Sequence, residues 1–142
     1  MHNRRLTVED LMSTALITAR PSETIAEADF EMRLASVRHI PVLDRDDRLV
    51  GIVSQRDILR QLARSQSGSV PMRDVMTTRV VTVQATTSAA AAAKLMLEHK
   101  IGSLPVLGED GQLVGLVTES DFLRLARELL LERSAAPRAR IG

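Results

Sequence analysis

Residues 8–59 align with residues 72–123 at a constant offset of 64, without insertion or deletion. A chain built this way must fold as two copies of one supersecondary unit related by approximate two-fold symmetry. A unit of about 50 residues buries only about 60% of its extended-chain surface and is marginal alone, whereas a chain of about 150 buries close to 70%. Each copy is therefore expected to complete its core against the other. Where the copies meet, the symmetry creates a pair of related clefts, and clefts are where small ligands bind.

Within each copy the hydrophobic period changes in the same order, which predicts an α/β unit of helix, strand, helix, strand, strand, helix. Thr7-Val8-Glu9-Asp10 reads as a capping box opening a short helix that ends near Ser13, and Pro71-Met72-Arg73-Asp74 starts its counterpart. Short apolar runs at 16–19 and 80–83 predict strands. Thr24-Ile25-Ala26-Glu27 is a second capping box, followed by Ala28, Met32 and Ala35 at helical spacing. Its partner helix starts at Ser88 and runs to His99 through an alanine tract, which favours helix and leaves a small-residue face for close packing. Hairpins are predicted at 39–43 with 49–54 and at 103–107 with 113–118, then final helices at 55–65 and 119–131. The copies thus span 7–65 and 72–131, joined by a linker at 66–71 and followed by a basic tail at 132–142 that is expected to fray. The turn carrying Asp44, Asp46 and Asp47 lacks the spacing and terminal glutamate of a calcium loop and reads as a solvated turn.

Several function classes fall away on composition. The 19 basic and 18 acidic residues leave a net charge of +1, too weak a field for nonspecific nucleic-acid binding, so Arg133, Arg138 and Arg140 read as a solvated tail. Phe30 and Phe122 are the only aromatic residues, which removes base-stacking platforms. Without cysteine there is no disulfide, thiolate nucleophile or thiolate metal site. No glycine loop of the phosphate-binding type and no nucleophile–base pair at a recognisable spacing is present, and His2, His39 and His99 make no metal set, so no enzyme is expected. No apolar run approaches the 18 or so residues of a membrane span. Arg4 and Arg5 before residues 11–19 imitate a secretory leader only loosely, because Glu9 and Asp10 interrupt it; a cytoplasmic protein is expected.

The repetition is densest at 41–59, where ten of the 19 positions are identical to their partners at 105–123. The shared string is Pro-Val-Leu, Asp46/Asp110, Leu-Val-Gly-x-Val, Ser54/Thr118 and Asp57/Asp121. On packing grounds Ser54 with Asp57, and Thr118 with Asp121, are capping boxes. A helix N-terminus directly after a strand also offers free N–H groups and a positive dipole end, so it can hold a phosphate while the hydroxyl donates to it. An aspartate one turn in can accept both hydroxyls of a ribose. A nucleotide then needs only a flat apolar slot for its base, and Val37, Ile40 and Pro41, with Ile101, Leu104 and Pro105, can supply it. The prolines suggest edge strands with neighbouring backbone groups left free.

These strings carry a resemblance. His39-Ile40-Pro41-Val42-Leu43-Asp44 with Gly51-Ile52-Val53-Ser54-Gln55-Arg56-Asp57 resembles the cystathionine beta-synthase (CBS) domain, and Ile101-Gly102-Ser103-Leu104-Pro105-Val106 with Gly115-Leu116-Val117-Thr118-Glu119-Ser120-Asp121 resembles it more closely still. The resemblance covers about residues 7–131 and implies a disc-like tandem pair. It further implies a regulatory, non-catalytic module that binds AMP, ADP or ATP, or the related NAD or S-adenosylmethionine, in clefts between the copies. Carried over, Asp57 and Asp121 would hold ribose, Ser54 and Thr118 phosphate, with Arg56 and Ser120 beside the phosphates. Thr18 and Thr82, with Val37, Arg38, His39, Ile40 and Pro41, and Ile101, Gly102, Ser103, Leu104 and Pro105, would frame the adenine. A homodimer is implied, and any regulated protein is expected to be reached in trans. Kept without its ligand, the same fold would be an interaction scaffold. The first copy departs from the second in having Arg38-His39 for Gly102-Ser103 and Arg56 for Ser120, so the clefts should differ, with added cationic donors favouring a more highly phosphorylated ligand.

Overall fold

The computed structural model describes residues 5–65 and 67–135; His2, Arg4, Gln66, Arg138 and Arg140 lie outside them. The order is α1 (Val8–Leu11), α2 (Ile25–Ala35), β1 (His39–Leu43), β2 (Leu49–Ser54), α3 (Gln55–Ser65), a 3-10 turn (Met72–Asp74), β3 (Val83–Gln84), α4 (Ala89–His99), β4 (Ser103–Leu107), β5 (Leu113–Thr118) and α5 (Glu119–Ala135). Both hairpins occupy their predicted residues and pair in the same register, His39 opposite Ser54 in one and Ser103 opposite Thr118 in the other. The helices that follow the first strand segment begin where capping residues stop the strand geometry. Thr24 Oγ1 accepts from the Glu27 N–H at 3.2 Å, and Ser88 Oγ from the Ala91 N–H at 3.0 Å. Helix α2 ends with Ser36 and α4 with Lys100 in the left-handed region, at φ 57° and 55°.

Three expectations change. The predicted strand at 16–19 shrinks to a single parallel bridge, Ala19 with Val42, and its counterpart becomes Val83–Gln84, pairing with Val106 and Leu107. Helix α5 continues to Ala135, so residues 132–135 of the expected tail are helical. Pro41 and Pro105 sit within central strands, not edges: β1 lies between Ala19 and β2, and β4 between β3 and β5. The reason is local. The Ala19 N–H donates to the Pro41 carbonyl at 3.0 Å and the Leu43 N–H to the Ala19 carbonyl at 2.9 Å. An N–H at Pro41 would point to that same side one rung earlier, toward Ile17, which forms no bridge, so its absence costs no ladder bond.

Two cores form, each completed by the other copy. Ile25, Ala28, Met32, Ile40, Val42, Val53 and Ile58 enclose Met72 from the second copy, with Val70, Val75 and Met76 against them. Val83, Ala92, Met96, Leu104, Val106 and Val117 enclose Val8 from the first, with Leu11 and Met12 against them. The backbone follows the same exchange. The Val8 N–H donates to the Thr87 carbonyl at 2.8 Å and the Ala89 N–H to that of Leu6 at 2.9 Å; in mirror fashion the Met72 N–H donates to the Glu23 carbonyl at 2.7 Å and the Ile25 N–H to that of Val70 at 2.9 Å. Each arm then closes the far sheet, Ser13 bridging Leu116 and Thr77 bridging Ile52. The arms pack closely over glycine: a Cβ at Gly51 would meet Met76 Sδ at 2.5 Å, and one at Gly115 would meet Met12 Sδ at 2.6 Å. The residues read as a linker are thus part of the packing.

Candidate functional site

The hairpin register builds the site. Because His39 faces Ser54 across β1 and β2, the segment leading into β1 lies beside the first turn of α3; Ser103 and Thr118 do the same for α5. The Gln55 N–H donates to the Arg38 carbonyl at 2.8 Å and the Glu119 N–H to the Gly102 carbonyl at 3.1 Å, tying each helix start to the residue before its strand. Thr18 and Thr82 immediately precede the residues that pair with Val42 and Val106, so each stands where the ladder opens next to Pro41 or Pro105. Sequence positions far apart in the chain are thereby gathered into two matching sets.

Burial divides their roles. The side chains of Ile40 and Leu104 are fully enclosed in the two cores, and Ser103, Pro41 and Pro105 are also buried. For Ile40 and Leu104 it is the backbone that is left to face a ligand. Val37 is 36% exposed and Ile101 half-buried, which leaves both able to offer apolar surface. Arg38, Arg56 and Ser120 are exposed.

The capping box is reciprocal in the first copy, and in the second only the aspartate half of it forms. The Ser54 N–H donates to Asp57 Oδ2 at 2.8 Å and the Asp57 N–H to Ser54 Oγ at 3.1 Å. The Thr118 N–H donates to Asp121 Oδ2 at 2.8 Å. Each cap consumes one carboxylate oxygen; the other oxygen of Asp57 is left for a second partner, whereas that of Asp121 accepts from Arg124 Nη1 at 3.0 Å.

The copies touch at Gly102. A Cβ there would lie 2.6 Å from Glu119 Oε1 and 3.3 Å from His39 Nε2. A histidine of the first copy and a carboxylate of the second therefore converge on one glycine. Burial lowers the His39 pKa from its usual value, against the pull of the Glu119 and Asp57 carboxylates and in the same sense as Arg38. Glu119 was not marked by the sequence pattern, although it aligns with Gln55 at the same helix start. Arg124, three residues after Asp121, was also passed over. Among the described residues no group of three His, Cys, Asp or Glu side chains is placed to hold a metal, and no helix is long and apolar enough to cross a membrane.

The pattern that defines the CBS domain matches residues 8–64 and again 72–128. The chain belongs to the CBS domain family. This CBS pair is 36% identical to AcuB from Vibrio cholerae, with a TM-score of 0.85 over 93% of this chain and 99% of that one. It superposes on the CBS domain pair of MJ0100, solved with 5'-methylthioadenosine and S-adenosyl-L-methionine, with a TM-score of 0.83 at 28% identity over 89% and 99% of the two chains. CBSX2, solved with AMP, is 32% identical, with a TM-score of 0.76 over 88% and 98%. In sequence it is 35% identical over 127 residues to the inosine-5'-monophosphate dehydrogenase of Halobacterium salinarum, covering 89% of this chain but only 25% of that enzyme. The pair thus spans about a quarter of the length of that dehydrogenase.

Proposed function

We propose that this CBS pair is a non-catalytic regulatory module that binds an adenosyl ligand of the AMP, ADP or ATP type. The observation that carries the reading is the duplicated junction of strand and helix. There Ser54 and Asp57, or Thr118 and Asp121, present helix N–H groups, a hydroxyl and a carboxylate within one turn, next to an apolar strand entrance. Phosphate, ribose and base each find a partner of matching chemistry. The 5'-methylthioadenosine and S-adenosyl-L-methionine of MJ0100 and the AMP of CBSX2 share the adenosyl group that such a site would recognise. Arg38 and Arg56 supply guanidinium donors that favour additional phosphates. The signal passes to a protein in trans or through a homodimer in the cytoplasm; Leu59 on α3 and Leu123 and Leu130 on α5, all more than half exposed, form the surface for the dimer.

A thermal-shift panel of AMP, ADP, ATP, NAD and S-adenosylmethionine tests this. A ligand at about 100 times its Kd adds about 2.7 kcal/mol, which raises the Tm by several degrees. Asp57→Ala combined with Asp121→Ala should abolish the shift without unfolding the protein. If no adenosyl ligand moves the Tm of the wild type, the fold serves as an interaction scaffold instead.

A further inference from the structure

Asp57 and Asp121, the two aspartates proposed to hold ribose, stand at equivalent positions but are in different states. In the first copy Asp57 Oδ2 accepts from the Ser54 backbone, while Oδ1 takes no hydrogen bond or ion pair among the described residues. Ser54 Oγ accepts from the Asp57 N–H, so its own proton is left to donate. In the second copy the proton of Thr118 Oγ1 turns inward to Asp121 Oδ2 at 3.3 Å, and Arg124 Nη1 donates to Asp121 Oδ1 at 3.0 Å. Both groups that a nucleotide would engage there are already engaged by the protein. Arg60 is the first-copy counterpart of Arg124, since both stand three residues after the aspartate, yet no ion pair joins it to Asp57. Instead a polar cavity of about 190 Å³ opens at that position, lined by Asp57, Arg60, Gln61, Arg64, Asp74 and Val75.

We propose that Arg124 is an internal competitor for the ribose of the second copy, so that the two clefts fill in order, the one built on Ser54 and Asp57 first. The inference rests on the adenosyl-binding reading and adds an order of occupancy and a residue that sets it. An incoming ribose must displace the Arg124 guanidinium and turn the Thr118 hydroxyl outward before Asp121 and Thr118 can serve it; Asp57 and Ser54 need neither change. Arg124 is 65% exposed, so its release to water is feasible and its removal leaves the cores untouched. With the guanidinium exposed and only the carboxylate buried, the pair weakens ribose binding in the second copy by about two- to fivefold.

Calorimetric titration of the full chain with AMP, or with S-adenosylmethionine if AMP gives no thermal shift, decides the matter. Two unequal events are expected. Asp57→Asn should remove the tighter and Asp121→Asn the weaker. Arg124→Ala should tighten the weaker event about two- to fivefold, whereas Arg60→Ala, at the matching position, should tighten neither. Two equal events, loss of the tighter event in Asp121→Asn, or a weaker event unmoved by Arg124→Ala would each overturn the proposal while leaving adenosyl binding intact. Absence of any binding, together with absence of thermal shift across the panel, would overturn the underlying reading and this inference with it.

Discussion

Met72 gives the exchange between copies a measurable weight. It belongs by sequence to the second copy, yet its side chain is fully buried in the core of the first, beside Ile25, Met32 and Ile58. Truncating a buried methionine to alanine removes its transfer energy and leaves a cavity, a loss of about 2–5 kcal/mol. With an unfolding entropy of about 2.1 cal/mol/K per residue, a chain of 142 residues changes its Tm by about 3 °C per kcal/mol. Met72→Ala should therefore lower the Tm by about 6–15 °C, and Met72→Leu, which nearly conserves volume, should cost less than about 1.5 kcal/mol. The assay is far-ultraviolet circular dichroism during urea and thermal unfolding, because a chain without Trp or Tyr has no useful intrinsic fluorescence. A loss from Met72→Ala within the ±0.5 kcal/mol or so typical of surface positions would show that residues 66–76 are a mere tether and refute the exchange.

Two further outcomes follow from the same contacts. Gly115→Ala places its Cβ 2.6 Å from Met12 Sδ and 3.1 Å from the Ser13 carbonyl; Ser13 is held by Leu116 on both sides at 2.9 and 3.0 Å, so urea unfolding should register a loss of about 1–3 kcal/mol. His39 has a pKa depressed chiefly by burial, so the unfolded chain takes up its proton, near pH 6.5, before the folded one does. Its contribution to stability is present above that pH and is lost as pH falls through the folded value. His39→Asn should flatten the rise of the urea midpoint with pH across this acidic window, and an unchanged slope would count against partial burial of the imidazole as the cause.

The hairpins and capped helices were legible because they are encoded locally. Short apolar runs at 39–43 and 49–54 flank a polar turn that fixes the hairpin, and Thr24 and Ser88 mark helix starts with their own side chains. That each copy completes its core against the other was expected from its size, but which segments cross over was not legible, for a reason rooted in the repeat itself. Val8 and Met72 occupy equivalent positions in two similar copies, so each fits either core by composition, and only three-dimensional closure decides that each fills the other. Pro41 was misread as an edge residue because the cost of a missing N–H depends on what lies opposite it, and here the pairing of β1 with the preceding segment is limited to Ala19. At the site, the aspartates and hydroxyls declare themselves through spacing. The engagement of Asp121 by Arg124 does not, because Arg60 has the same spacing from Asp57 without making the pair.

Equilibrium dialysis of an adenosyl ligand tests the central claim most directly, since a protein without Trp or Tyr is nearly transparent in the adenine absorption band. With AMP, ATP or S-adenosylmethionine as the probe in turn, at least one should accumulate on the protein side of the wild type. The Asp57→Ala/Asp121→Ala variant, with its helical circular dichroism unchanged, should show equal absorbance on both sides. Equal absorbance for every ligand with the wild type, or undiminished retention by the double variant, would contradict the account.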